Sequence, residues 1–336
     1  MKKAAVIGLG TIAPIHLDAI ARNPRIELAG VCDIDGSACR LASEGVPFYT
    51  DYKEMIADVK PDCVHLCLPH DLHYPVAKAA VELGCNVFTE KPLAISSKEA
   101  GQFVRLEADH PEKKIGVCLQ NRLNETTETL KAILESGEFG KIVGARGIVP
   151  WFRDKEYYDV QPWRGKWAHA GSGTLMNQSI HTLDLLYYLC GPVKAIHSSV
   201  SQILDYGIEV EDTVTARLEF ENGARGVFWA TNANFTNESV QIVVATEKAI
   251  FTIADSFLTR KDSDGTMTTL CEDARLPGSK FYFGASHSKL IDKFYHALET
   301  GGDDYIHVKD AQMSIRLIDA IFRSGKEDEL IYVDEV

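Results

Sequence analysis

Three short segments carry residue types that could do chemistry together. Gly8-Leu9-Gly10-Thr11-Ile12-Ala13 follows the apolar run Lys3 to Ile7 and opens a helix-compatible stretch to about Arg22. In that setting the first glycine permits a tight turn, the second lets a pyrophosphate approach the backbone, and Ala13 lets the helix pack closely. A merely tight strand-to-helix turn is the plainer alternative. A second apolar run, Ile26 to Cys32, ends at Asp33, where a carboxylate would accept hydrogen bonds from adenosine ribose hydroxyls. It would repel a 2'-phosphate, and Ile34 rather than a basic residue follows. NAD is therefore expected over NADP.

Glu90-Lys91-Pro92 comes directly after the expected strand Asn86 to Thr89. Ligands of open parallel sheets bind beyond the carboxyl ends of the strands, so Lys91 is expected to point toward one. The alternative is a solvated surface charge. Gly171-Ser172-Gly173 leads into a helix expected from about Gly173 to Cys190 and ended by Gly191-Pro192. Asn177, His181 and Asp184 fall at i, i+4 and i+7, one polar stripe among Leu175, Ile180, Leu183, Leu186 and Tyr187. A histidine on so apolar a helix is either a satisfied core residue or an acid/base group. Cys67, His70 and His73 are closely spaced after a strand, but no matching second pair follows. No metal site is expected.

The elements that must position these residues change in character near residue 120. Before it, short continuous apolar runs at Lys3 to Ile7, Ile26 to Cys32, Cys63 to Leu68, Asn86 to Thr89 and Lys114 to Leu119 alternate with helical segments. One helix covers Tyr74 to Leu83, and another starts near Ser96, with Glu99 at capping-box spacing, and stops at His110-Pro111. That alternation predicts a doubly wound parallel sheet. After it, Thr213 to Phe220 alternates, Asn222-Gly223 makes a hairpin turn, and Arg225 to Ala230 runs back. Further β-type runs follow at Ser239 to Val244 and Ala249 to Ile253, with closing helices at His287 to Leu298 and Lys309 to Arg323. The expected class is α/β with two domains, 1–120 and 121–336, the second an α+β domain with a large, mostly antiparallel open sheet.

The chain has 336 residues, long enough for two cores. Its 35 Lys and Arg against 48 Asp and Glu give a net charge of -13. Such an acidic surface lacks the basic face that duplex binding needs, so no nucleic-acid partner is expected. It does not exclude a pyrophosphate held by local N–H groups. Eight cysteines, several in apolar runs, fit buried thiols in a reducing cytosol better than a disulfide framework. No apolar run has the length of a membrane span, and Gly8, Gly10 and Pro14 break the only signal-like start. A cytoplasmic protein without membrane partners is expected.

Together the G-x-G-x-x-A, the E-K-P tripeptide and G-x-G-x-x-x-N-x-x-x-H-x-x-D resemble the oxidoreductase family named for glucose-fructose oxidoreductase, inositol dehydrogenase and MocA. Pro69 with His70 and His73, Gln120-Asn121-Arg122 and Trp163-Arg164-Gly165 are similar as well. The resemblance covers nearly the whole chain. It implies an N-terminal Rossmann domain whose NAD contacts come from Gly8, Gly10, Thr11, Ile12, Asp33, Leu68, Pro69, His73, Glu90, Lys91 and Gln120. Lys91 is expected to stabilise developing alkoxide character and His181 to be the general acid/base. Polyol-oxidising members often carry Asp where this chain has Asn177, and an amide cannot relay a proton. His181 is then expected to pass its proton to water or to Asp184. This departure favours the branch that acts on a sugar ring hydroxyl, often C3 of a hexose or hexoside.

Asn177, Arg164, Trp163, Tyr158 and Asp184 are the expected substrate contacts. With Tyr157 and Trp167 they offer aromatic faces for sugar CH groups and a guanidinium fork for hydroxyls. The alternative is a loop that anchors itself with its aromatics. By the same resemblance His287 is a weak candidate for the pocket. The expected partner is a small-molecule carbohydrate, in a homodimer or homotetramer. Competing activities are an inositol or polyol dehydrogenase and an NAD-dependent glycosidase that oxidises C3 transiently, with Tyr157 or Tyr158 as extra acid or base. A non-catalytic NAD(H)-binding regulator is the remaining alternative.

Overall fold

The computed structural model describes residues 1–42, 44–274 and 286–336. The chain divides into two units, Met1–Gln120 with Ala285–Gln312, and Asn121–Gly284 with Met313–Val336.

The first unit is built on a parallel sheet of β1 (Lys2–Ile7), β2 (Ile26–Cys32), β3 (Phe48–Tyr49), β4 (Cys63–Leu66), β5 (Asn86–Thr89) and β6 (Ile115–Val117). The spatial order is β3-β2-β1-β4-β5-β6, the doubly wound arrangement in which the order reverses beside β1. Strands buried on both faces explain the continuous apolar runs, and all of β4 is buried. The helices Ala13–Arg22, Tyr52–Val59, His73–Glu82 and Ser97–Asp109 connect the strands. Ser96 caps the last of them by accepting the Glu99 N–H.

The second unit is not the uninterrupted stretch 121–336 that was expected. The Ser286–Thr300 helix lies in the first unit because its apolar face, with Leu290, Ile291, Phe294, Tyr295 and Ala297, is buried. Its Phe294 ring lies 5.3 Å from Phe88 on β5. A Cβ at Gly116 on β6 would come within 2.6 Å of that Phe294 ring, so only glycine fits there. Val117 also donates its N–H to Ile306.

In the second unit a nine-stranded sheet runs through β7 (Ile142–Pro150), β8 (Val193–Ser201), β9 (Thr213–Phe220), β10 (Arg225–Thr231), β11 (Gln241–Thr246), β12 (Ala249–Ala254), β13 (Phe257–Asp262), β14 (Met267–Glu272) and β15 (Ile331–Tyr332). Its order is β14-β13-β12-β11-β7-β10-β9-β8-β15, antiparallel except where β7 meets β10. The alternation predicted for β9 is present: Val214, Ala216, Leu218 and Phe220 are buried. The Asn222-Gly223 turn joins β9 to β10, with Gly223 at φ 87°. Gly147 on β7 supports the helix Ile180–Cys190, since a Cβ there would meet Thr182 at 2.8 Å and Leu186 at 2.9 Å. Small residues on the sheet thus set how closely the His181 helix lies upon it.

Candidate active site

In the first unit the glycine-rich turn has the expected form. Gly8 is at φ 89°, and a Cβ there would sit 2.4 Å from the Cys67 carbonyl oxygen, so no other residue fits. A Cβ at Gly10 would meet nothing within 4 Å, which leaves the outer side of the turn open to a ligand. Gly10 and Thr11 are exposed, and Ile12, Asp33, Leu68, Pro69 and Lys91 are partly exposed. Asp33 accepts the Leu9 N–H through Oδ2 at 2.7 Å and the Asp35 N–H through Oδ1. The carboxylate is thereby fixed beside the turn with lone pairs left over. An open cradle with an ordered acid at the end of β2 fits a dinucleotide and its ribose.

The side chains of His73, Glu90 and Gln120, expected among the NAD contacts, are all buried. His73 has Nδ1 2.7 Å from the Pro92 carbonyl and Nε2 2.9 Å from the Leu68 carbonyl, and a neutral ring can donate to only one of the two at a time. Burial holds it below the ordinary histidine range. Glu90 bonds His16 and the Lys91 N–H. His287, also buried, lies 3.9 Å from Glu90 rather than on a surface. Cys67, His70 and His73 do not gather as ligands. Among the described residues, ligand-type atoms converge within 4.8 Å only at His16, Glu90 and Cys118.

In the second unit the expected helix from Gly173 to Cys190 is broken into Thr174–Asn177 and Ile180–Cys190. The cause is Ser179, whose N–H and hydroxyl both bond the Thr174 carbonyl at 2.9 and 2.8 Å, closing a wider turn than the helical ladder allows. Asn177 and His181 therefore do not share one continuous helix. They do share one property: from Ser172 to Leu186 every residue is buried except these two.

Asp184 is 1% exposed and serves a different purpose from the one expected. Its oxygens accept Arg122 Nε at 2.8 Å, Arg122 Nη2 at 2.7 Å and Ser314 Oγ at 2.9 Å. It is a buried bidentate pair rather than a substrate contact. Removing one partner from such a pair leaves the other charge buried alone, which costs about 3–5 kcal/mol. Asp184→Ala is accordingly expected to lower unfolding free energy by that order in a urea titration.

Glu211 is the second anchor, and the sequence reading missed it. Its side chain accepts the N–H groups of Gly173 at 2.8 Å and Leu175 at 2.9 Å, while its backbone carbonyl accepts that of Thr174. The turn that presents Asn177 hangs on this residue. Burial pushes the Glu211 carboxyl up to about 7, helped by Asp212 and opposed by the two N–H donors. A carboxyl that keeps its proton longer in the folded chain than in the unfolded chain loses stability as pH rises from about 4.3, its unfolded value, toward 7. We expect Glu211→Gln to remove that slope from a plot of unfolding free energy against pH.

The aromatic loop splits between the two expectations. Tyr158 is 4% exposed and its hydroxyl accepts Asn232, so it anchors the loop and is not placed to touch substrate. Burial raises its phenol well above the usual range. Tyr157, Trp163 and Arg164 are partly exposed, with the Arg164 guanidinium 4.2 Å from the Tyr157 ring centroid and 5.9 Å from that of Trp163. Arg153, which the sequence reading passed over, lies 5.4 Å from the Tyr157 ring and 4.8 Å from Trp151. Trp167 is exposed and packs edge-on against Phe322.

With these features in place, comparison with known proteins is direct. Residues 2–117 match the oxidoreductase family with an NAD-binding Rossmann fold, and residues 127–252 match the GFO/IDH/MocA C-terminal domain. An uncharacterized oxidoreductase of Bacillus subtilis (strain 168), YrbE, is 28% identical over 239 residues, 66% of this chain and 64% of that protein. The match thus spans just under two thirds of that relative's length. A D-glucoside 3-dehydrogenase of Escherichia coli (strain K12) is 27% identical over 306 residues, 80% of this chain and 82% of that protein. The WlbA dehydrogenase of Bordetella pertussis, solved in complex with NADH and UDP-GlcNAcA, is 28% identical with a TM-score of 0.85 over 98% of each chain. Both family domains and the fold agree: the chain belongs to the GFO/IDH/MocA family of oxidoreductases, with an NAD-binding Rossmann fold at its N-terminus.

Proposed function

We propose that this oxidoreductase moves a hydride between NAD and the carbon of a secondary ring hydroxyl in a sugar, glycoside or sugar derivative. The observation that carries the reading is the partial exposure of Asn177 and His181 alone within the buried stretch Ser172–Leu186. Polar residues singled out for solvent in an otherwise closed segment are where acid/base chemistry can occur. When bound, NAD supplies the hydride acceptor. Gly8, Gly10, Thr11 and Asp33 would hold it. We assign proton transfer at the hydroxyl to His181 and stabilisation of its oxygen to Lys91. Asn177 orients a hydroxyl or the imidazole but holds no transferable charge, and with Asp184 engaged by Arg122 the proton goes from His181 to water.

Similarity to a D-glucoside 3-dehydrogenase supports C3 as the oxidised carbon. The partly exposed Tyr157, Trp163 and Arg164 support a ring-shaped polar substrate. We place the enzyme in the reducing cytosol, on its eight free cysteines. Among the described residues no helix is long and apolar enough to cross a membrane. We also propose a homodimer or homotetramer, since Val227 and Ile250 expose apolar surface on one face of the second unit's sheet.

The deciding experiment mixes the protein with NAD or NADH and a panel of free sugars, glycosides, inositols, sugar acids and nucleotide sugars, and locates the oxidised carbon by NMR. Stoichiometric NADH with a C3 ketone is expected. Cleavage of a glycoside without NADH accumulation would select transient oxidation instead. Tight cofactor binding with no turnover on any substrate would leave a regulator.

A further inference from the structure

Beneath the E-K-P segment, four side chains of the first unit form one buried chain of hydrogen bonds. Glu90 Oε1 lies 2.8 Å from His16 Nε2, His16 Nδ1 lies 3.0 Å from His65 Nδ1, and His65 Nε2 lies 2.9 Å from the Tyr295 hydroxyl. His16, His65 and Tyr295 are wholly buried, and Glu90 is 5% exposed. The four residues come from the first helix, β4, the exit of β5 and the Ser286–Thr300 helix. Neither His16, His65 nor Tyr295 has a part in the function assigned above.

The contact between two Nδ1 atoms determines where the protons sit. Facing ring nitrogens bond only when one bears a hydrogen and the other a lone pair. With Glu90 ionised and His65 neutral, two patterns satisfy the chain, and they differ by one proton. If His16 is charged, it donates to both Glu90 and His65, and His65 is neutral with its proton on Nε2, donating to Tyr295. If His16 is neutral, it accepts from His65, and every bond beyond it reverses.

The surroundings choose the charged form. His16 faces Glu90, His65, the thiols of Cys67 and Cys118, and the His287 ring at 6.2 Å. Burial opposes a charge on His16, but Cys67, Cys118 and Glu90 outweigh it and hold the imidazole well above the usual range. Burial and the charge on His16 hold His65 well below that range. For Glu90, burial works against ionisation and is overcome by the His16 bond and the charges of His16, His287 and Lys91.

We propose that Glu90–His16–His65–Tyr295 is a positioning network for Lys91, in which a charged His16 balances Glu90 and Glu90 holds the backbone from which Lys91 projects. Glu90 Oε2 accepts the Lys91 N–H at 3.2 Å, so fixing one carboxylate fixes that segment. The network further accounts for the return of the Ser286–Thr300 helix to this unit, since Tyr295 bonds His65 and His287 flanks Glu90. None of these positioning residues touches a reacting atom.

The proposal rests on the role given to Lys91, and its test separates the two. In the full-length chain without cofactor, ¹⁵N NMR of labelled histidines at neutral pH is expected to show both His16 nitrogens protonated and His65 as the neutral Nε2–H tautomer. In Glu90→Gln, which keeps the shape, His16 should lose its proton at a lower pH than in the wild type. Folded His16→Asn and Glu90→Gln are each expected to lose about 10-fold to 100-fold in kcat, with KM and NAD affinity within about threefold. Should His16→Asn not fold, Glu90→Gln carries the test alone. A neutral His16 in the wild-type chain, unchanged kcat in a folded variant, or a stoichiometric metal ion bound by His16, Glu90 and Cys118 in elemental analysis would each overturn the network. Full turnover in Lys91→Met would instead remove the role of Lys91, and the NMR result would still report the charge on His16.

Discussion

Lys91→Met lowers kcat by about 10²–10⁴-fold, the span that a positioned charge or proton-transfer group contributes. Methionine keeps an unbranched stem of similar length and removes only the ammonium, so packing at the exit of β5 is preserved. Oxidation of an alcohol builds negative charge on its oxygen as the proton leaves, and a fixed cation lowers the barrier most where that charge is greatest. Substrate binding in the ground state gains less from it, so KM should change much less than kcat. NAD affinity, measured by fluorescence titration, should fall much less than kcat, because the cradle at Gly8, Gly10 and Asp33 has bonds that do not involve Lys91. Lys91→Arg is not expected to restore turnover, since a planar fork replaces a compact charge. A Lys91→Met enzyme with full kcat would end the assignment.

The parts of the molecule that were legible in the sequence are those whose causes are local. The tight turn at Gly8, the acid at Asp33, the hairpin at Asn222-Gly223 and the alternation of β9 each depend on residues a few positions apart. Partnerships at long range were not legible. His16 meets Glu90 across 74 residues, Arg122 meets Asp184 across 62, and Ser314 reaches Asp184 across 130. No period or spacing announces such pairs, so Asp184 read as one member of a polar stripe when it is half of a buried ion pair. Glu211 left a faint signal, two adjacent acids just before an alternating strand, but not the turn it holds 36 and 38 residues earlier. The broken helix at Ser179 was hidden for another reason: serine suits a helix poorly, but only the Thr174 carbonyl within reach decides that it breaks one. The fold-back of residues 286–312 was likewise invisible, because an amphipathic pattern says that a face is buried and not against which sheet.

His181→Ala is expected to cut kcat/KM by about 10²–10⁴-fold and also to change its dependence on pH. A base that takes the hydroxyl proton must be unprotonated to act, so oxidation by the wild-type enzyme weakens on the acid side. Without the imidazole, hydroxide must do the work, and the residual rate should climb steadily with pH instead of levelling. The same experiment tests the meaning of Asn177. Here the amide of Asn177, partly exposed like His181, cannot accept the proton, and Asp184 is held by Arg122 and Ser314. In the double variant Asn177→Asp with His181→Ala, a carboxylate is introduced at a partly exposed position. It should recover part of the lost activity and bring back a level region in the pH profile, because a carboxylate can serve as a base where an amide cannot. If His181→Ala keeps its kcat/KM, or if the profile of the single variant matches that of the wild type, proton transfer belongs to another group and the reading of His181 fails.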